Sequence, residues 1–148
     1  MKPLDCRPPS RDRARPLDRV GRAVARKLPG RLELYPIERV VSSPYRRCLE
    51  SVEPLAAARA LEVERAEELA PDASLSQLEA LLQKLGAETL VSTHREVFER
   101  LFDGRIACEK GGTWVVERRG SRLVPVEYLP PAAESRARKR AGKLARNR

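Results

Sequence analysis

The chain has 148 residues, is 41% hydrophobic and carries a formal net charge of +9. That is one domain's length with apolar residues enough for a core. It excludes a wholly disordered chain, and no run approaches the ~18 apolar residues of a membrane helix. The opening Met1-Lys2-Pro3-Leu4-Asp5-Cys6 has no apolar signal segment.

Positive charge is concentrated at one end. Residues 136–148 hold seven Lys and Arg and no acid, and removing those seven leaves +2 for the rest. Such a run reads as a disordered tail making weak, salt-dependent contact with polyanions. Only 4% of residues are aromatic and no nucleic-acid-binding motif occurs, which argues against specific nucleic-acid recognition. The cysteines at 6, 48 and 108 form neither a zinc pattern nor a CxxC pair, so reduced thiols and a cytoplasmic location are expected.

Residues 1–14 read as irregular, with Pro3, Pro8 and Pro9 removing ladder donors. Asp18 is placed to cap a helix with Val20, Val24 and Leu28 as its apolar positions, ended by Pro29-Gly30. Residues 37–42 contain the β-branched cluster of a partly buried strand. Ser43 then offers a capping hydroxyl, Pro44 suits a first helical position, and a helix is expected to about Arg59. Cys48, Val52, Leu55 and Ala56 share its inner face, and Pro54 is a candidate kink.

Residues 62–65 form a short strand candidate. Ser74 and Gln77 make a capping box for a helix with a stripe of Leu75, Leu78, Leu82 and Leu85, stopped by Gly86. Residues 89–93 read as a buried strand ending at His94. Val97, Phe98, Leu101 and Phe102 give the next helix its face, closed by Asp103-Gly104. From Thr113 the period becomes two, and residues 113–117 and 123–128 flank Arg119-Gly120-Ser121 as a hairpin. Pro125 marks an edge position, and Pro130-Pro131 the domain's end. The expected class is α/β: a layered sheet flanked by helices, with a C-terminal antiparallel hairpin.

Arg47 and His94, the single histidine, each follow the C-terminal end of a predicted strand. Ligands of open α/β sheets bind at that edge. A helix N-terminus with an arginine fork beside it suits a phosphate. The plainer reading is a strand–helix junction with a solvated arginine, and a structural histidine.

Arg15-Pro16-Leu17-Asp18 with Gly21, then Ser42-Ser43-Pro44-Tyr45-Arg46-Arg47-Cys48, then Thr93-His94-Arg95-Glu96-Val97, resemble the histidine phosphatases, the phosphoglycerate-mutase-like superfamily. Lys110-Gly111-Gly112-Thr113-Trp114-Val115 and Glu127-Tyr128-Leu129-Pro130-Pro131 look like the phosphatase domain fused behind a Nudix hydrolase. The resemblance covers about residues 12–131, leaving 132–148 as the basic tail. It implies hydrolysis of phosphate monoesters or phosphohistidine without a metal or other cofactor, through a nucleophilic histidine and a phosphohistidine intermediate. The partner would be a phosphorylated small molecule or phosphoprotein, with no membrane.

By this resemblance Arg47 is the phosphate-clamping arginine and His94 the second histidine, which donates to phosphoryl oxygens. Glu96 is a candidate proton donor, although an exposed first-turn charge is its plainer reading. Arg95 stands where the family usually has glycine and would crowd the phosphate or add charge to its site. Ser51 stands where threonine is frequent. The family's Arg-His-Gly motif, which carries the nucleophile on a first strand in mid-sheet, is absent.

Three readings follow: a truncated or mis-started product, suggested by the irregular sequence before Asp12; a pseudophosphatase that binds phospho-ligands without turnover; or a structural remnant with a polyanion-binding tail. Loss of a middle strand also implies that its neighbours close up, or that the domain is only marginally folded.

Overall fold

A computed structural model describes residues 9–131. The expected basic run at 136–148 lies outside the described residues. The sequence's alternation of helix and strand appears as α1 (Pro9–Arg13), α2 (Arg19–Arg31), β1 (Arg39–Ser42), α3 (Arg46–Ala58), β2 (Val63–Arg65), a 3-10 turn (Glu67–Leu69), α4 (Leu75–Lys84), β3 (Thr89–Ser92), α5 (Arg95–Leu101), β4 (Thr113–Arg119) and β5 (Arg122–Leu129).

Strands β1, β2 and β3 form a parallel sheet in the order β2-β1-β3. The central strand explains the β-branched cluster. Successive side chains of a strand point to opposite faces, and here both faces are covered. Val40 packs with Leu28, Leu32, Val52, Leu55 and Ala56 from the α2 and α3 regions. Val41 packs on the other side with Ala66, Leu69, Leu78, Leu85 and Val97. Both valines are almost wholly buried.

The caps are partly as expected. Asp18 accepts from the Gly21 amide, and Ser74 and Gln77 close their capping box reciprocally. Three expectations are corrected. Residues 9–13 form a helical turn inside the stretch read as irregular. Helix α2 runs through Pro29 to Arg31, because the turn before Pro29 gives up one amide bond without losing its packed face. Helix α3 begins at Arg46 with Tyr45 as its N-cap, and Tyr45 makes no side-chain capping bond. Ser43 is drawn away from capping by a long-range partner, described below. Helix α3 also continues through Pro54.

Two apolar positions are misplaced by the periodic reading. Val20 is 71% exposed, and Ala25 with Leu28 forms the buried face of α2 instead. Leu75, in the first turn of α4, is also exposed.

Strands β4 and β5 form a separate antiparallel pair turning at Gly120-Ser121, with a bulge that brings Val116 opposite Pro125. The bulge accommodates a proline, which has no amide to donate. Among the described residues β3 pairs only with β1, and β4 only with β5. The expected closing-up of strands therefore does not occur between the two sheets. The hairpin is instead held by side chains. Arg118 donates to the Leu82 and Leu85 carbonyls at the end of α4, and Trp114 stacks on Phe98 of α5 at 6.4 Å between ring centroids.

Candidate functional site

The parallel pairing of β1 with β3 sets Ser42 opposite Ser92, and the Ser43 amide extends the ladder to the Ser92 carbonyl at 2.9 Å. The two chains therefore leave the sheet side by side. One leads into Ser43-Pro44-Tyr45 and α3, the other into Thr93-His94 and α5. This register brings together residues 51 positions apart: Ser43 Oγ lies 2.8 Å from His94 Nε2.

His94 is 6% exposed and Ser43 is wholly buried. Cys48, in the first turn of α3, places its sulfur 3.6 Å from Nε2 and 3.9 Å from Nδ1 of His94. The Tyr45 ring meets the imidazole edge-on, with centroids 4.6 Å apart. Ser92 and Ser51 both donate to the Cys48 carbonyl, at 2.9 and 2.7 Å, tying the first turn of α3 to the end of β3. Thus Ser51 serves as an internal strut here.

Arg47 lies on the open side of this cluster. Its guanidinium carbon sits 5.0 Å from the centre of the Tyr45 ring, and its side chain is 22% exposed. Arg47 Nη1 donates to the Asp12 carbonyl at 3.0 Å and lies 3.4 Å from Asp12 Oδ1. Arg13 approaches the same tyrosine ring at 5.0 Å and pairs with Glu67. One aromatic ring is therefore shared by the imidazole and two guanidinium groups, an arrangement that favours cations over its face.

Burial and the neighbouring Arg47 charge both disfavour a charged imidazole. They push His94 down to about 4, against smaller opposing effects of Glu96 and Asp12. His94 is therefore neutral at pH 7. Burial also pushes the Cys48 thiol up to about 11, so it is protonated and serves as packing, not as a thiolate nucleophile.

The expected site residues are now placed. Arg47 and His94 converge on Tyr45 and Cys48. Glu96 is exposed in the first turn of α5, close enough for its charge to act on His94. Arg95 is exposed, and its charge is felt at Cys108. No group of three or more His, Cys, Asp or Glu side chains suited to a metal occurs among the described residues. The sequence pointed to no site role for Asp12 or Tyr45, and only to a helix-capping one for the Ser43 hydroxyl. The spacing of Asp12 and Arg15, three apart, was the only local signal of an ion pair. The other contacts depend on strand register.

The arrangement is a largely buried polar cluster with one arginine and one imidazole at the C-terminal edge of a parallel sheet, the edge at which open α/β sheets bind ligands. The family model of the histidine phosphatase superfamily (branch 1) matches residues 9–103, and the chain belongs to that superfamily. A solved structure of the protein histidine phosphatase SixA complexed with tungstate is similar in fold, with a TM-score of 0.66 and 24% identity. That match covers 87% of this chain and 90% of the other. A putative phosphohistidine phosphatase SixA from Agrobacterium tumefaciens gives a TM-score of 0.69 at 18% identity, covering 85% of this chain and 90% of the other. No curated protein matches at the significance required.

Proposed function

We propose that this chain binds a phosphorylated ligand at the Arg47–His94 pocket, a phosphohistidine-bearing protein or a phosphate monoester, and holds the phosphoryl group without turning it over. The observation that carries this reading is the single imidazole. Family chemistry uses one histidine to attack phosphorus and another to steady the phosphoryl oxygens, and the chain has one histidine in all. His94 matches the second of these roles, and its Nε2 already faces the Ser43 hydroxyl.

Binding is favoured by a guanidinium and an imidazole that the fold already holds near one another. Arg47 offers a guanidinium whose donors suit pairs of phosphoryl oxygens. His94, neutral when the site is empty, gains a proton more readily beside a bound dianion. That proton converts a neutral contact into a charge-assisted one. Without a displaced leaving group, Glu96 has no proton to deliver. Its part is electrostatic, partly offsetting the Arg47 charge at the imidazole.

The test is calorimetric titration of the full chain with tungstate, a tetrahedral oxyanion, together with an assay of p-nitrophenyl phosphate hydrolysis. Arg47→Ala is expected to weaken tungstate binding at least about tenfold, the scale of one charge-assisted contact. Hydrolysis by the unsubstituted chain is expected at background. Robust hydrolysis that His94→Ala abolishes would overturn the absence of turnover, and tungstate binding unaffected by Arg47→Ala would overturn the pocket.

A further inference from the structure

The pocket already contains an anion of its own. Asp12, the next-to-last residue of α1, lies against Arg47, which reaches both its carbonyl, at 3.0 Å, and its carboxylate, at 3.4 Å. Arg15 braces the same carboxylate oxygen from outside at 3.2 Å. The charge of Asp12 is felt at His94, where it raises the imidazole pKa against burial and Arg47. Asp12 thus acts on both groups assigned to the phosphoryl ligand.

The segment carrying Asp12 is held weakly. Helix α1 spans five residues, too short to be stable through its own hydrogen bonds. Its other tethers are the Arg13–Glu67 ion pair, with the Glu67 side chain 71% exposed, and the Arg13 contact with Tyr45. Exposed ion pairs of this kind contribute little. A latch built this way can open for a stronger anion.

We propose that Asp12 is an internal ligand of the site, an autoinhibitory contact in which its carboxylate takes the place on Arg47 that an incoming tetrahedral oxyanion must claim. The inference rests on the phosphoryl-binding reading of Arg47 and His94. Ligand entry then displaces the α1 turn, and the observed affinity is lowered by the fraction of molecules with the latch shut.

The experiment titrates tungstate into the full chain and its Asp12→Asn and Arg47→Ala variants. Asp12→Asn keeps the side-chain shape and removes the competing charge, so it is expected to bind about fivefold more tightly. Equal or weaker binding by Asp12→Asn, with the unsubstituted chain still binding, would overturn the internal ligand and leave the pocket standing. No binding by either would overturn both. A second readout follows the Arg15 amide, which donates to the Asp12 carbonyl at 3.2 Å. Its hydrogen exchange is expected to accelerate when tungstate saturates the unsubstituted chain. Unchanged exchange at saturation would contradict displacement.

Discussion

Lowering the pH tests the site and the fold through a single proton. His94 is the one histidine, so its ring resonances are unambiguous in an NMR titration. Burial first, and the Arg47 charge second, hold it at about 4 in the folded chain, against an ordinary value of 6.5. Between those values the unfolded chain takes up a proton that the folded chain refuses. Stability from this group is therefore complete above about pH 6.5 and declines as the pH falls towards 4. The gap corresponds to at most about 3 kcal/mol, and water reaching a site beside a partly exposed arginine brings it nearer ~2 kcal/mol. Urea unfolding at pH 7 and pH 4.5 measures the loss, and His94→Asn separates it from the carboxylates. Glu50 and Glu64 also have lowered pKa values, and their contribution is lost from the ordinary carboxylate value downwards, which is why the His94→Asn comparison is needed. An imidazole titrating near 6.5, with the same acid sensitivity in His94→Asn, would refute the buried, arginine-facing placement.

Other substitutions separate packing from chemistry. Ser43→Ala removes the partner of His94 Nε2 and is expected to cost about 1 kcal/mol in urea unfolding, a typical net hydrogen bond; no loss would mean the contact is not formed. Leu55, wholly buried between α3 and the sheet, is expected to cost ~2–5 kcal/mol as Leu55→Ala, whereas Val20→Ala on the exposed side of α2 should fall within about 0.5 kcal/mol of zero. Equal effects at those two positions would contradict the orientation of α2 and α3. A methyl group at Gly112 would meet ring carbons of Tyr128 at 2.9 Å, so Gly112→Ala is expected to lower stability by about 1–3 kcal/mol; a neutral result would place the hairpin elsewhere.

The parallel sheet was legible because local signals agreed there. The valines at 40 and 41, the Ser74–Gln77 box and the apolar run before His94 each fix an element without help from distant residues. Periodicity failed where a helix met no partner: Val20 has the right spacing but faces solvent, and Ala25 takes the core position. It also failed at Ser43, whose local chemistry favours a cap while the register of β1 on β3 offers an imidazole at shorter range. Arg47 and His94 could be expected at the same sheet edge because each follows the C-terminal end of a strand in an α/β pattern. Asp12 could not, since its place depends on how a short helical turn folds back over α3.

Under the proposed function, Arg47 and His94 hold a phosphoryl group without turning it over. Incubation of the full chain with phosphoramidate, followed by phosphorus NMR, puts this to the test directly. Expected is a ligand resonance shifted by binding, lost in Arg47→Ala, with no phosphorus attached to protein and no release of inorganic phosphate above background. A protein-bound N-phosphoryl signal at His94 that decays to inorganic phosphate over repeated cycles would contradict it.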